Sequence, residues 1–372
     1  MSSQRIKMDE LLASLPPAGP ESLLPEIRQQ LKIAPRKVVV LDDDPTGTQT
    51  VHNIPVLTEW SVEVLSTELQ NDLPAFYLLT NSRSMPLAQA QALSIEIGRN
   101  LVEAARQTNR DFAVVSRSDS TLRGHFPGEV DALARGLGQP FDAWLIIPYF
   151  FEGGRYTIND VHYVAEGDKL IPAAETPFAQ DAAFGYHASN LRRWVEEKTK
   201  GRIPADAVTS ISIEDIRQGG PERVARRLLA LNQTKVCIVN AASMRDMEVF
   251  VRGLLQAEVE GKRFLYRTAA SFVQTRAGLA PRPLLTATEL ELPNSGGGLI
   301  VVGSYVPKTS GQVKALLARP GVISHQVDVE ALLDDTRPGH NRPGSLNLGN
   351  ASAARRPAVR CPTCGGSKCS DT

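Results

Sequence analysis

Three carboxylates in a row, Asp42-Asp43-Asp44, follow the apolar run Val38-Val39-Val40-Leu41 and lead into Pro45-Thr46-Gly47. Adjacent anions repel one another, and each loses water when buried. Such a cluster needs a cation, a hydroxyl-rich ligand or open solvent. Two later segments bring arginines and hydroxyls: Thr80-Asn81-Ser82-Arg83-Ser84 and Ser116-Arg117-Ser118-Asp119-Ser120-Thr121-Leu122-Arg123-Gly124. Guanidinium forks match a carboxylate or phosphate bidentately, and hydroxyls suit sugar oxygens. The chemistry open to these residue types is recognition of a small hydroxylated anion, with an aspartate as acid, base or metal ligand. The plain alternatives are a solvated acidic loop and an Asp119–arginine pair that satisfies only itself.

These segments share a position in the pattern. Each follows a short apolar run (38–41, 75–79 and 112–115) that reads as a buried parallel strand. In an open α/β sheet, ligands bind outside the carboxyl ends of the strands, so the three loops predict one shared crevice. A fourth run, Trp144-Leu145-Ile146-Ile147, leads through Gly153-Gly154 to Arg155. Apolar spacing predicts helices over 61–70, capped by Ser61, and over 87–109, 191–199 and 247–261. Strands are expected at 54–57 and 235–240, a hairpin arm at 160–163, and a closing run at 264–272.

The remaining organisation is coarser. Residues 1–35 read as a leader of short helices interrupted by Pro16, Pro17 and Pro20. Residues 36–291 form the main domain, and the glycine-rich 292–298 a linker. A strand at 299–304, a helix at 308–319 and a strand at 322–327 open a second domain over 299–335 that does not complete itself. Residues 336–372 are rich in proline, glycine and arginine and poor in large apolar residues, which predicts a disordered tail. The expected fold class is α/β: an N-terminal domain with a mostly parallel sheet flanked by helices, then an incomplete second α/β domain.

Composition narrows the class. The 372 residues are 42% hydrophobic and 22% charged, with 41 basic and 41 acidic side chains. A balanced charge gives no global attraction to nucleic acid or anionic membrane. No run approaches the length of a membrane span, and the N-terminus lacks a signal-peptide core. Four cysteines make a disulfide framework improbable and fit a cytoplasmic enzyme.

Other motifs compete with these. Asp42-x-Asp44-x-Thr46 matches the opening motif of haloacid-dehalogenase-type phosphatases, with Asp42 as nucleophile and Mg²⁺ as clamp, but Gly47 stands where an apolar residue is usual. Gly303-Ser304-Tyr305-Val306-Pro307-Lys308-Thr309 imitates a phosphate loop without the glycine before the lysine. Cys361, Cys364 and Cys369 give three thiols where a closed zinc site needs four ligands. His52, His125, His162 and His187 read as packing or hydrogen-bonding histidines.

Taken in order, Asp42 to Gly47, Thr80-Asn81-Ser82-Arg83, Ser116 to Gly124, Pro148-Tyr149-Phe150 with Gly154-Arg155, and Arg267-Thr268-Ala269-Ala270-Ser271-Phe272 resemble the four-carbon acid sugar kinase family from about residue 36 to about residue 335. The resemblance implies ATP- and Mg²⁺-dependent phosphorylation of threonate, erythronate or 3-oxo-tetronates. It implies Asp43 and Asp44 beside the reacting hydroxyl, with one of them as general base. Asn81, Ser82, Arg83, Arg117, Asp119, Ser120, Arg123 and Arg155 would bind substrate, and Gly303, Ser304 and Thr309 nucleotide. No residue is assigned to hold the metal. Arg117 stands where lysine is common and His125 where asparagine is common. The family's later glycine-rich nucleotide motifs are absent, which suggests a truncated or frame-shifted second domain and impaired turnover. A sugar-acid-binding protein without chemistry, and a possible self-association, complete the expectations.

Overall fold

Alternation along the central strands decides the architecture. Val38, Val40, Ala75, Tyr77, Val115, Leu145 and Tyr266 lie in one apolar core, and Val39, Leu41, Phe76, Leu78, Val114, Trp144 and Ile146 in another. Successive side chains of a strand point to opposite faces, so two cores mean one sheet covered on both sides. The computed structural model describes residues 6–19, 21–233, 235–291, 297–304 and 306–327. Its strands are β1 (Ile6–Lys7), β2 (Lys37–Asp42), β3 (Val56–Leu57), β4 (Ala75–Leu79), β5 (Phe112–Arg117), β6 (Ala143–Ile147), β7 (Arg155–Ile158), β8 (Val161–Glu166), β9 (Lys169–Pro172), β10 (Thr209–Ile211), β11 (Lys235–Val239) and β12 (Phe264–Thr268).

Eight of these form a sheet in the order β10-β11-β6-β12-β5-β2-β4-β3, and every pairing in it is parallel. The other four form a small antiparallel sheet, β1-β9-β8-β7, which contains the expected hairpin. In the large sheet Asp42 is level with Leu79 of β4 and Arg117 of β5. Parallel pairing in that register brings the three polar loops to one edge.

Helices close both faces. Leu87–Thr108 and Gly128–Leu137 pack closely on one side, where a Cβ on Gly98 would meet the backbone of Gly136 at 2.8 Å. Met244–Val259 carries Met247, Phe250 and Leu254 to the other. Ser61 caps Val62–Gln70 by accepting from the Val64 amide. In the leader, Met8–Ala13 and Leu24–Ile33 are helical, and Ile27 is fully buried.

The closing run is two elements. β12 ends at Thr268, and Ala270–Arg276 is a helix with every residue buried. The helices Gly128–Leu137 and Gly220–Leu229 were not anticipated by the apolar spacing.

The chain divides into Met1–Thr286 and Ala287–Thr372. In the second unit the strands expected at 299–304 and 322–327 are not formed among the described residues, whereas the helix is present as Pro307–Leu317. Leu299 and Val301 are exposed, and an apolar run becomes a strand only where a neighbour takes its backbone hydrogen bonds. Residues 328–372, with the expected tail and Cys361, Cys364 and Cys369, lie outside the described residues, as do 292–296 of the expected linker.

Candidate substrate site

The candidate site is assembled at the carboxyl ends of β2, β4 and β5. Backbone hydrogen bonds lock the loops together: the Asp43 amide donates to the Arg117 carbonyl, the Thr80 amide to Asp42 and the Arg83 amide to Asp43. On that frame Arg83 is shared between two acids. Its Nη2 lies 2.5 Å and its Nε 3.2 Å from the Asp43 carboxylate, and its Nη1 lies 2.6 Å from Asp44. Arg117 lies 3.5 Å from Asp42 and 3.3 Å from the Gln49 side-chain oxygen. Arg123 lies 2.8 Å from Asp119 and 3.6 Å from Asp181. The cations required by three consecutive acids are therefore arginines from the two neighbouring strand ends.

The three acids differ in environment. Asp42 is 2% exposed at its side chain, and burial raises its pKa to about 7 against the opposing pull of Arg117. A Cβ on Gly47 would fall 1.6 Å from its carboxylate, so the turn can close over Asp42 only as glycine. A carboxylate so covered has no approach to a phosphoryl group, which weighs against Asp42 as a nucleophile. Burial also raises the pKa of Asp43, with the Arg83 hydrogen bond pulling the other way. Asp44 is 22% exposed. Burial pushes its pKa up, but hydrogen bonds from Thr46 and the charge of Arg83 outweigh that and hold it below the usual range.

Asp119 is buried, yet Arg123, Arg83 and Thr121 hold its carboxyl well below the usual range. Arg123 and Arg155 both lie over the ring of Phe178, 5.2 and 5.5 Å from its centroid. Arg155 donates to the Gly153 carbonyl, and its buried Nε has no partner among the described residues. Burial lowers the pKa of Arg155, as expected of a guanidinium without a close carboxylate. Ser82 is buried, and its hydroxyl meets that of Thr80 at 3.2 Å. Asn81 takes a left-handed conformation, φ 52°, at the turn after β4 and is exposed there. The Ser120 carbonyl accepts from buried His162 at 2.7 Å, and burial lowers that imidazole's pKa to about 4. Among the described residues no group of three His, Cys, Asp or Glu side chains is placed to hold a metal.

The first unit thus brings Asp43, Asp44, Ser82, Arg83, Arg117, Asp119 and Arg123 together, with Arg155 reaching in beside Phe178. Gly303 and Ser304 lie in an exposed segment without regular structure, and Thr309 in the first turn of Pro307–Leu317. Two participants had no role expected of them from sequence, although Arg267 stands in one of the family-like runs. Arg267, on β12, is fully buried, donates to the carbonyls of Asp119 and Arg123, and sits 5.1 Å over the Trp194 ring. Its place in a strand between apolar neighbours was a signal, since arginine is rarely buried without a task. Glu129 has its pKa raised by burial and by nearby Asp43, against a hydrogen bond with Ser82, and nothing in its helical context marked it.

The family model described as the sugar-binding N-terminal domain matches residues 38–276. The chain belongs to that family. This sugar-binding domain is the N-terminal part of four-carbon acid sugar kinases. The chain is similar to a D-erythronate kinase of Heliobacterium modesticaldum, 27% identical over 317 residues. That alignment covers 81% of this chain and 64% of the relative, so the chain spans less than two thirds of the curated relative's length. In fold it resembles a domain of unknown function from Bordetella bronchiseptica, solved with bound citrate as a domain-swapped dimer (TM-score 0.50, 21% identity, 65% of this chain and 56% of that one). A Haemophilus influenzae protein of the same domain class aligns at TM-score 0.48 and 18% identity, over 80% of this chain and 68% of that one. The matched span of the sugar-binding family contains every charged residue of the site described here. No helix among the described residues is long and apolar enough to cross a membrane.

Proposed function

We propose that this chain binds a four-carbon sugar acid of the threonate, erythronate or 3-oxo-tetronate type and serves its ATP-dependent phosphorylation at a hydroxyl. The observation that carries the reading is the division of labour at the strand ends. Asp43 and Asp44 on Arg83, and Asp119 on Arg123, form a paired, rigid lattice suited to hydroxyl groups, while Arg155 retains an unpartnered buried N–H for a carboxylate. Membership of the sugar-binding family and similarity to a D-erythronate kinase support the substrate class.

On this reading Asp43 is the general base, because burial moves its basicity towards neutral pH. Asp44 stays ionised and orients the same hydroxyl, with Thr46 and Arg83 fixing its two oxygens. Asn81, Ser82 and Ser120 bind further hydroxyls, and Arg117 keeps Asp42 and Gln49 in place beneath them. Phosphoryl transfer asks the protein mainly for positioning and charge neutralisation. Mg²⁺ would enter with the nucleotide, since it binds through phosphates and one or two carboxylates, and Asp44 is the acid of the cluster most open to solvent. Gly303, Ser304 and Thr309 are proposed to contact the nucleotide, in a cytoplasmic enzyme that self-associates.

Calorimetric titration with D-erythronate, L-threonate and a 3-oxo-tetronate, with and without Mg-ATP, tests this directly. Saturable binding of one acid, weakened about 10–100-fold in Arg155→Gln, is the expected result. Failure of every four-carbon acid to bind, or equal binding by the variant, would overturn the reading.

A further inference from the structure

At the opposite edge of the large sheet, the amino ends of the strands, charge is arranged in the reverse sense. Arg276, at the end of its helix, is 1% exposed, and its Nη2 donates to Glu258 at 2.6 Å. Its Nε and Nη1 are buried with no hydrogen-bond partner among the described residues. Glu258 does not serve Arg276 alone. Tyr266 donates its hydroxyl to the same carboxylate at 2.5 Å, and Arg36 Nη1 lies 3.7 Å from it. Arg36 Nε also lies 3.1 Å from Asp111, an ion pair that solvent weakens because Asp111 is 69% exposed. Two guanidiniums and a phenol thus share one buried anion.

Arg36 and Arg276 line two cavities, of about 340 and 330 Å³, which also share Asp111. Lys262 and Arg263 line the first, and Arg28 and Arg110 the second. Water could accept from the orphaned N–H groups, but the wall of the first cavity carries four basic side chains, Arg36, Lys262, Arg263 and Arg276, against two acidic ones, Asp111 and Glu258, and water cannot balance that difference. Either cavity has room for a molecule larger than one water. A small oxyanion offers both acceptors and charge.

We propose that this cleft is a second anion site, taking a small phosphate- or carboxylate-bearing molecule on Arg36 and Arg276, separate from the sugar-acid site and independent of its assignment. Both are buried or half-buried arginines held by packing, so the site is pre-formed rather than assembled on binding.

Inorganic phosphate and citrate, each titrated against chloride at constant ionic strength, are the probes. Calorimetry and the thermal midpoint are the readouts. Wild-type protein is expected to show saturable binding and stabilisation. Arg36→Gln should weaken the apparent affinity about tenfold or more while keeping the anion-free midpoint close to wild type. Arg276→Lys, which keeps the charge opposite Glu258 but loses the fork, should weaken it similarly. Arg155→Gln should leave the binding intact. Phosphate alone binding points to a phosphate-bearing ligand, and citrate alone to a polycarboxylate. Absence of saturable binding by either probe would overturn the proposal, as would binding that survives Arg36→Gln but is lost in Arg155→Gln.

Discussion

The two edges of the eight-stranded sheet handle buried charge in opposite ways. At the carboxyl ends, acids came first along the chain, and arginines from neighbouring loops neutralise them: Arg83 on Asp43 and Asp44, Arg117 near Asp42, Arg123 on Asp119. At the amino ends the buried carboxylate is the shared group: Glu258 is divided between Arg276, Arg36 and Tyr266, and Arg36 turns also to exposed Asp111. The acids of the first cluster each face an arginine, and that pairing holds them rigidly enough to select hydroxyl geometry. An unsaturated cluster retains unfulfilled N–H groups, and that attracts an anion. The same residue types therefore imply different ligands, depending on which sign is left over.

Replacement of the proposed base would break the carboxyl-end lattice most severely. Asp43→Asn should reduce phosphoryl transfer by roughly 10²–10⁴-fold, measured as ADP release with the best four-carbon acid. Its effect on acid binding should be much smaller, and an unchanged turnover would remove Asp43 from that role. Arg155→Gln sharpens the contrast between paired and unpaired arginines. Loss of one charged hydrogen bond of roughly 1.5–3 kcal/mol predicts about 10–100-fold weaker binding of the acid, read by calorimetry.

Gly47→Ala probes the roof over Asp42. A Cβ 1.6 Å from the carboxylate forces the turn outward, for an expected destabilisation of about 1–3 kcal/mol in denaturant melts. Acidity provides a subtler test. Because the pKa of Asp42 is raised from 3.8 to about 7, the folded state holds more protons than the unfolded state between those values. This group's contribution to stability should fall as pH rises through that window, and Asp42→Asn should flatten the fall. Asp119 works in the other direction, since its depressed pKa stabilises the fold at neutral pH and is lost as pH drops below the usual carboxylate range. The smallest change should come from Ser61→Ala, which removes a helix cap at a cost of about 1 kcal/mol and leaves both anion-binding properties as they were.

Much of the sheet was legible because its strands are buried on both faces and bounded by polar turns. β2, β4, β5, β6 and β11 fall where continuous apolar runs stand, and Ser61 announces its helix by type and spacing. Legibility failed where residues had two possible partners. Ala270-Ser271-Phe272 continues an apolar run, but it leaves the strand after Thr268 and turns into a helix. The apolar run at 299–302 has the composition of a strand, yet among the described residues nothing pairs with it. Strand formation is a property of two segments, and only one of them can be read at a time.

The sequence alone determined that acids, arginines and hydroxyls would stand at the ends of consecutive strands, because alternation, β-branched runs and turn residues are local features. Which arginine neutralises which acid was decided by the tertiary structure, through a register that sets Asp42 level with Arg117 and brings Arg83 over Asp43 and Asp44. The insertion of β12 between β5 and β6 likewise carried Arg267 beneath the Asp119 loop and left Arg276 at the far edge. Charge pairing depends on distances of a few ångströms between residues tens or hundreds of positions apart, and only the folded chain sets those distances.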